Sequence, residues 1–341
     1  MKIAFLSLYY GGSSRGAETF VSELSLRLAK NNSVDIISGN SKKLDNWPIL
    51  WRLFLDPQGI GVLLFTSKNI GKIWKEKYDV IIPMDGGWQA LIVRKLTWLY
   101  GGKVVISGQS GKGWFDRINI LSCPNVFVSL SHWSQEKLKW MNPFIKYEYI
   151  SNGVDLDKFK SNGSSFQPHI KKPIVLAVGA FTEQKRLDLT IKSVSKLDNV
   201  SLLIVGGGGD LKDKLEVEGK DLLGDRFEIL SVPFEKMPEI YRTANVFTLP
   251  SASSESFGNV LVEAMASGLP VVATDDPIRK EIVGDAGLLV DPTNTEEYAK
   301  TLEKALETNW GDKPRKQAEK FSWDKIAEQY ETLFKNLLKQ K

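Results

Sequence analysis

Two glutamates, Glu255 and Glu263, stand close together in the stretch Val246–Thr274, VFTLPSASSESFGNVLVEAMASGLPVVAT. Glu255 falls in a small polar loop just before a helical pattern. Unpaired N–H groups and the positive end of a helix dipole there favour anions and hydroxyl-rich ligands. Glu263 lies inside the helical run among Val, Leu, Ala and Met. A carboxylate in such surroundings is costly unless something donates a hydrogen bond to it. Taken singly, Glu255 also reads as a helix-end charge and Glu263 as a partly solvated side chain. A third feature lies upstream, where Lys185 and Arg186 open another helical pattern. The pair also reads as a solvated helix start, but cations are slightly disfavoured at a helix N-terminus, which favours a bound anion. Placed beside a leaving group that gains negative charge, such cations stabilise the transition state more than the ground state.

The elements that must position these residues are legible as apolar runs and their breakers. Val246–Leu249 reads as a buried strand ended by Pro250 and Ser251–Ser254, and Phe257-Gly258-Asn259 opens a helix that Gly268 and Pro270 stop. Val271–Thr274 is the next strand. A strand, loop, helix, strand unit of this kind belongs to a parallel sheet, whose ligand crevice lies at the carboxyl ends of the strands. Ile174–Val178 is likewise a strand, followed by a loop from Gly179 to Arg186 and a helix over Leu187–Lys196. Leu202–Val205, ending in a run of four glycines, and Phe227–Val232 give two more strands, and Pro238–Ala244 a short helix. The first half repeats the alternation, with strands at Lys2–Leu8, Val34–Ser38, Val80–Pro83, Val104–Ser107 and Val126–Leu130. A glycine loop, Gly11 to Gly16, and a helix over Ala17–Lys30 follow the first of these.

The run Ser-Glu255-Ser-Phe-Gly, followed by Glu263-Ala-Met-Ala-Ser-Gly-Leu-Pro-Val-Val-Ala-Thr, resembles the signature of retaining nucleotide-sugar glycosyltransferases of the GT-B fold, glycosyltransferase family 4, group 1. The resemblance implies an α/β protein of two doubly wound Rossmann-like domains facing a cleft. An acceptor-side domain would span 1–160 and a nucleotide-sugar-binding domain 170–322. A terminal helix over 323–341 would cross back to the first domain. It also implies roles. Glu255 would hold the donor sugar together with the backbone at Ser256, Phe257, Gly258 and Asn259, and Glu263 would bind the ribose hydroxyls. Gly179 would approach the donor closely, and Gly207, Leu230 and Val232 would line the nucleotide pocket. The family carries an arginine just after the glycine at 179 and a lysine five residues later, both gripping the donor diphosphate. Lys185 matches the lysine, Ala180 stands in place of the arginine, and Arg186 is the neighbour that would supply the charge. Gly11, Gly12 and Gly16 would face the donor phosphates. Many members place a histidine in the loop here spelled Gly108-Gln109-Ser110-Gly111-Lys112-Gly113-Trp114, so Gln109 is the acceptor-side candidate and His132 a second one.

Composition bounds the rest. At 341 residues the chain suits two domains, each with its own core, and its single cysteine, Cys123, excludes an intramolecular disulfide framework. A net charge of +4 implies neither nucleic acid nor membrane. The opening MKIAFLSLYYGG reads as a first strand and not as a signal peptide, and no run approaches the roughly 20 apolar residues that span a bilayer. The expected place is cytoplasmic; the aromatic residues of the tryptophan-rich insert Lys43–Asp79 read first as closing the first core, since aromatic stripes are usually core, and the alternative is a surface resting on the inner face of the membrane. Asp155-Leu-Asp157 spells an Asp-x-Asp, but it sits in a turn and not at the end of a buried strand, so no metal and no cofactor is expected. The expected partners are a nucleotide-sugar donor and a glycan or lipid-linked acceptor. The rival of another class is a non-catalytic nucleotide-sugar or glycan-binding protein, suggested by Ala180 and Gln109.

Overall fold

The first strand, β1 (Lys2–Ser7), sends successive side chains to opposite faces, and both faces are covered. Ile3 and Phe5 join one buried cluster with Phe20 and Leu24, while Ala4 and Leu6 join another with Val62, Phe65 and Ala90. Burial on both faces is what a parallel strand flanked by helices requires. The computed structural model describes residues 1–11, 16–41, 47, 49–109 and 114–339, the side chains of 114 and 115 excepted. Of the residues singled out above, Gly12 and the loop residues Ser110, Gly111, Lys112 and Gly113 lie outside the described residues. The chain divides into two compact units, Met1–Asn152 with Trp323–Lys341, and Gly153–Ser322.

In the first unit β1 is joined by β2 (Ser33–Ser38), β3 (Val80–Pro83), β4 (Lys103–Ser107), β5 (Val126–Ser129) and β6 (Lys146–Tyr149), in the order β2-β1-β3-β4-β5-β6. Every pairing is parallel. Neighbouring crossovers depart in opposite directions from β1 and β3, which opens a crevice at their carboxyl ends. The insert between β2 and β3 folds into a single turn, Leu50–Leu53, and a helix, Pro57–Glu76, capped by Asp56, which accepts the Gly59 N–H at 2.9 Å. Phe65 and Val62 enter the core from this helix, whereas Trp47 and Trp74 remain exposed. The terminal helix Trp323–Lys339 packs in the same unit, burying Trp323, Ile326, Tyr330, Phe334 and Leu337 against Phe20 and the outer face of β1.

The second unit holds β7 (Ile174–Val178), β8 (Ser201–Val205), β9 (Phe227–Leu230), β10 (Val246–Leu249), β11 (Val271–Thr274) and β12 (Gly287–Val290), again all parallel, in the order β12-β11-β10-β7-β8-β9. Counted from β7 this is the doubly wound order 3-2-1-4-5-6, whose crevice lies between its first and fourth strands, here β7 and β10. Residues 153–172 belong to this unit: Phe159 is buried, and Arg315 donates to the carbonyls of Leu156 at 3.0 Å and Phe159 at 2.7 Å.

Candidate active site

The loops leaving β7 and β10 are stitched together. After β7 comes Gly179, then a short turn, Glu183–Lys185, Arg186 in the left-handed region at φ 49°, and the helix Leu187–Val194. After β10 the loop runs to Gly258, at φ 86°, which turns the chain into the helix Asn259–Ala266. Ala252 N–H donates to the Gln184 carbonyl at 2.8 Å, and Gln184 Nε2 to Ser254 Oγ at 3.0 Å. Arg186 donates from Nε to the Pro250 carbonyl and from Nη2 to the Ser251 carbonyl, both at 2.8 Å. Its guanidinium therefore fastens the loop that carries Glu255.

Across this junction Lys185 Nζ and Glu255 Oε2 form an ion pair, with each side chain still about a fifth exposed (18% and 17%). A carboxylate and an ammonium largely withdrawn from water, yet reachable from it, can exchange each other for a ligand's hydroxyls and phosphates. The lysine stem lies over Gly179, where a Cβ would sit 3.3 Å from Lys185 Cγ and Cδ. A Cβ there would crowd the lysine stem, which would have to give by a few tenths of an ångström.

Beneath the pair lies a residue the sequence reading did not single out. Arg279 is wholly buried; it pairs with Asp276 at 2.7 Å and donates to Ser251 Oγ at 2.9 Å and the Ala252 carbonyl at 3.2 Å. Burial pushes its pKa down while Asp276 and Glu255 push it up. The signal was present: an arginine in the first turn after Asp276-Pro277 opposes the helix dipole, the same argument that picked out Lys185 and Arg186.

Glu263 is buried on the helix Asn259–Ala266, and the partner it requires is the Tyr241 hydroxyl, which donates to Oε2 at 2.8 Å. Desolvation pushes its pKa up to about 7, against the Tyr241 hydrogen bond and the charge of Lys158, which pull it down. The tyrosine lies on the preceding short helix, Met237–Tyr241, and no spacing rule points to it. Phe257 is buried edge-on against Phe321 at 5.8 Å, so only its backbone is available to a ligand, while Ser256 and Asn259 are half-buried. Gly207 is exposed with open space around it, and Leu230 and Val232 are half-buried at the end of β9. The Leu230 carbonyl accepts the Gly206 N–H at 2.9 Å, tying the glycine run to β9.

In the first unit Gly11, at φ 89°, donates to Glu18 Oε1 at 3.1 Å, and Gly16 begins the helix Gly16–Leu28. Gln109 and the buried Asn152 exchange amide hydrogen bonds at 3.1 and 3.0 Å. His132 is exposed at the start of the helix His132–Lys139, its ring 3.9 Å from that of Tyr149. The first carboxylate of the Asp-x-Asp, Asp155, accepts the N–H groups of Asp157 and Lys158, each at 2.9 Å, closing a turn. Among the described residues no group of three or more His, Cys, Asp or Glu could hold a metal ion.

The fold and this site define a glycosyltransferase of the GT-B kind. The family described as Glycosyl transferases group 1 matches residues 162–322, and an uncharacterized glycosyltransferase of Methanocaldococcus jannaschii is 30% identical over 84% of the chain and 81% of its own length. The chain belongs to this family. Phosphatidyl-myo-inositol mannosyltransferase of Mycolicibacterium smegmatis is 30% identical over 54% of the chain, and D-inositol 3-phosphate glycosyltransferase of Mycobacteroides abscessus 32% over the same share. The chain spans about half the length of these two, 51% and 45%. Among solved structures, sucrose-phosphate synthase of Thermosynechococcus elongatus superposes with a TM-score of 0.78 at 20% identity over 99% of both chains. Anabaena HepE in complex with UDP superposes with a TM-score of 0.76 at 18% identity, over 98% of this chain and 100% of that one. At these identities the likeness is one of fold.

Proposed function

We propose that the protein moves a sugar from a nucleotide diphosphate sugar to an acceptor hydroxyl, with retention at the anomeric carbon and with side chains in place of a metal. The observation that carries this reading is the Lys185–Glu255 pair at the carboxyl ends of β7 and β10. Glu255 would accept from the donor sugar's hydroxyls, and Lys185, released from it, would meet the diphosphate. Arg186 and Arg279 hold the loop in place and add positive potential. Glu263 would accept from the ribose. One structural neighbour at under 25% identity, Anabaena HepE, was solved both with UDP and with UDP-glucose, which supports a donor of this class.

In the reaction the bond from the anomeric carbon to the phosphate oxygen breaks and its electron pair stays with the diphosphate. The acceptor oxygen bonds to the same carbon on the face being vacated, and its proton passes to a phosphate oxygen. Lysine stabilises the charge that develops on the leaving group. The relatives named for D-inositol 3-phosphate and phosphatidyl-myo-inositol support a hydroxyl-bearing acceptor, the second on a lipid. A glycan or lipid-linked glycan reached from the cytoplasmic face fits the exposed Trp47, Ile49, Leu53 and Leu64, which suit a membrane interface. No helix among the described residues is long and apolar enough to cross a membrane.

The test is incubation with a panel of nucleotide sugars, reading nucleoside diphosphate release and, by NMR, the anomeric configuration of the product. Release with retention, undiminished by EDTA, is the expected result. An inverted product overturns the mechanism, and donor binding without release in the presence of any acceptor class makes the chain a binder.

A further inference from the structure

The first unit has a hollow of its own. Its enclosed part measures about 30 Å³, enough for a small cationic group with the rest of a ligand left at the mouth, and it is lined by Tyr9, Phe54, Asp56, Asp85 and Trp88. Tyr9 follows β1 and Asp85 follows β3, so the hollow sits at the carboxyl ends of the two strands from which the crossovers diverge, the ligand-facing place in a doubly wound sheet. The segment before Asp56 is locked onto it. Trp88 Nε1 donates to the Phe54 carbonyl at 2.9 Å, and Cβ atoms at Gly59 and Gly87 would come within 2.2 Å of the Phe54 carbonyl oxygen and 2.6 Å of its ring.

Its polar groups are out of balance. Asp56 is 2% exposed; Oδ1 caps the Pro57–Glu76 helix, but Oδ2 is buried with no hydrogen-bond partner. Asp85 Oδ2 accepts the Leu8 N–H at 2.6 Å and Gln89 Nε2 at 3.0 Å, yet desolvation still pushes its pKa up to about 6. Burial, and after it the charges of Asp85 and Asp56, together push the pKa of the Tyr9 hydroxyl up to about 12. Among the described residues that line the hollow there is no lysine or arginine. A buried carboxylate without a counter-charge costs several kcal/mol. A cationic ligand would relieve that cost, and aromatic walls favour an organic ammonium over a bare ion.

We infer that this hollow is a binding site for an organic ammonium group, with Asp56 Oδ2 and Asp85 as its acceptors and the rings of Tyr9, Phe54 and Trp88 as its walls. The ammonium can come from an amino sugar or from an amino alcohol. The site needs no donor nucleotide, and binding is measured without one, so the inference goes beyond the transfer reaction and fails independently of it.

The experiment is calorimetric titration of the full chain with glucosamine, ethanolamine, and the neutral controls glucose and N-acetylglucosamine. Expected is saturable binding of at least one amine and none of the controls. Glucosamine binding without ethanolamine binding names an amino sugar, and the reverse names an amino alcohol. Asp56→Asn keeps the helix cap and should weaken the amine about tenfold or more. Equal binding of glucosamine and glucose, no amine binding at all, or unchanged affinity in a folded Asp56→Asn overturns the inference. Should that variant fail to fold, the comparison of amines with neutral controls on the wild type decides alone.

Discussion

Lys185 is asked to do two things in sequence: hold Glu255 in the resting protein and meet the diphosphate in the reacting one. Removing it should therefore cost more in the transition state than in binding. Lys185→Ala is expected to lower kcat for nucleoside diphosphate release on the order of a hundredfold, with a smaller change in KM. An unchanged kcat would take the residue out of the mechanism. Glu263 offers a test that needs no substrate. A carboxyl whose folded pKa rises from 4.5 to about 7 keeps its proton longer in the native state than in the unfolded one. Its stabilising contribution is therefore complete below about pH 4.5 and lost as pH rises through about 7. Glutamine cannot titrate, so the stability difference between wild type and Glu263→Gln isolates the effect. In urea titrations that difference should move against the wild type by about 3 kcal/mol between pH 4 and pH 8. A difference independent of pH would mean that the carboxyl titrates in the native protein as it does in the unfolded chain.

At the scale of elements, glycine positions separate into those the chain needs and those it leaves open. A Cβ at Gly206 would lie 1.9 Å from the Gly179 carbonyl oxygen, in the backbone that supports Lys185. At Gly207 nothing lies within 4 Å. Gly206→Ala should cost about 1–3 kcal/mol by displacing the Gly179 turn, while Gly207→Ala should leave stability within about 0.5 kcal/mol. Equal denaturation midpoints for the two would show that the turn gives way without cost. The sequence could say only that four glycines follow a strand; which of them is constrained depends on where Gly179 lies in space. The same division runs through the site. The unit from β10 to β11 was legible because its strands are continuous apolar runs and its helix has clear breakers. Strands β6 and β12 were not, since KYEY and GLLV are short, sit at sheet edges and carry charge or glycine. Glu255 and Lys185 could be picked out by chain position. Tyr241, Asn152 and the contacts of Arg279 depend on tertiary structure, and only the last left a trace in the sequence.

For the whole molecule the notable economy is that the last helix completes the unit in which the chain began. Trp323–Lys339 buries Trp323, Ile326, Tyr330, Leu333, Phe334 and Leu337 in the cluster formed by Ile3, Phe5, Phe20 and Val105, and the Tyr330 hydroxyl donates to Ser107 Oγ at 3.2 Å. Rings of Phe20 and Tyr330 meet edge-on at 5.8 Å. At about 1.5–3 kcal/mol for each large apolar side chain withdrawn from water, six such side chains are worth about 10 kcal/mol or more. That is comparable to the net stability of an ordinary domain, about 5–15 kcal/mol. A chain ending at Ser322 should consequently lose the fold of its first unit while the second, whose strands and core cluster lie wholly within Gly153–Ser322, stays folded. Limited proteolysis reads the two outcomes apart. Fragments confined to residues after 152 should survive, and those from the first 152 should be digested. The milder variant Tyr330→Phe keeps the ring and removes only the hydroxyl, so it should cost about 1 kcal/mol and leave the proteolytic pattern of the full chain unchanged. Survival of the first 152 residues in the truncated chain would mean that β1 and the helix Gly16–Leu28 hold their outer face without the terminal helix.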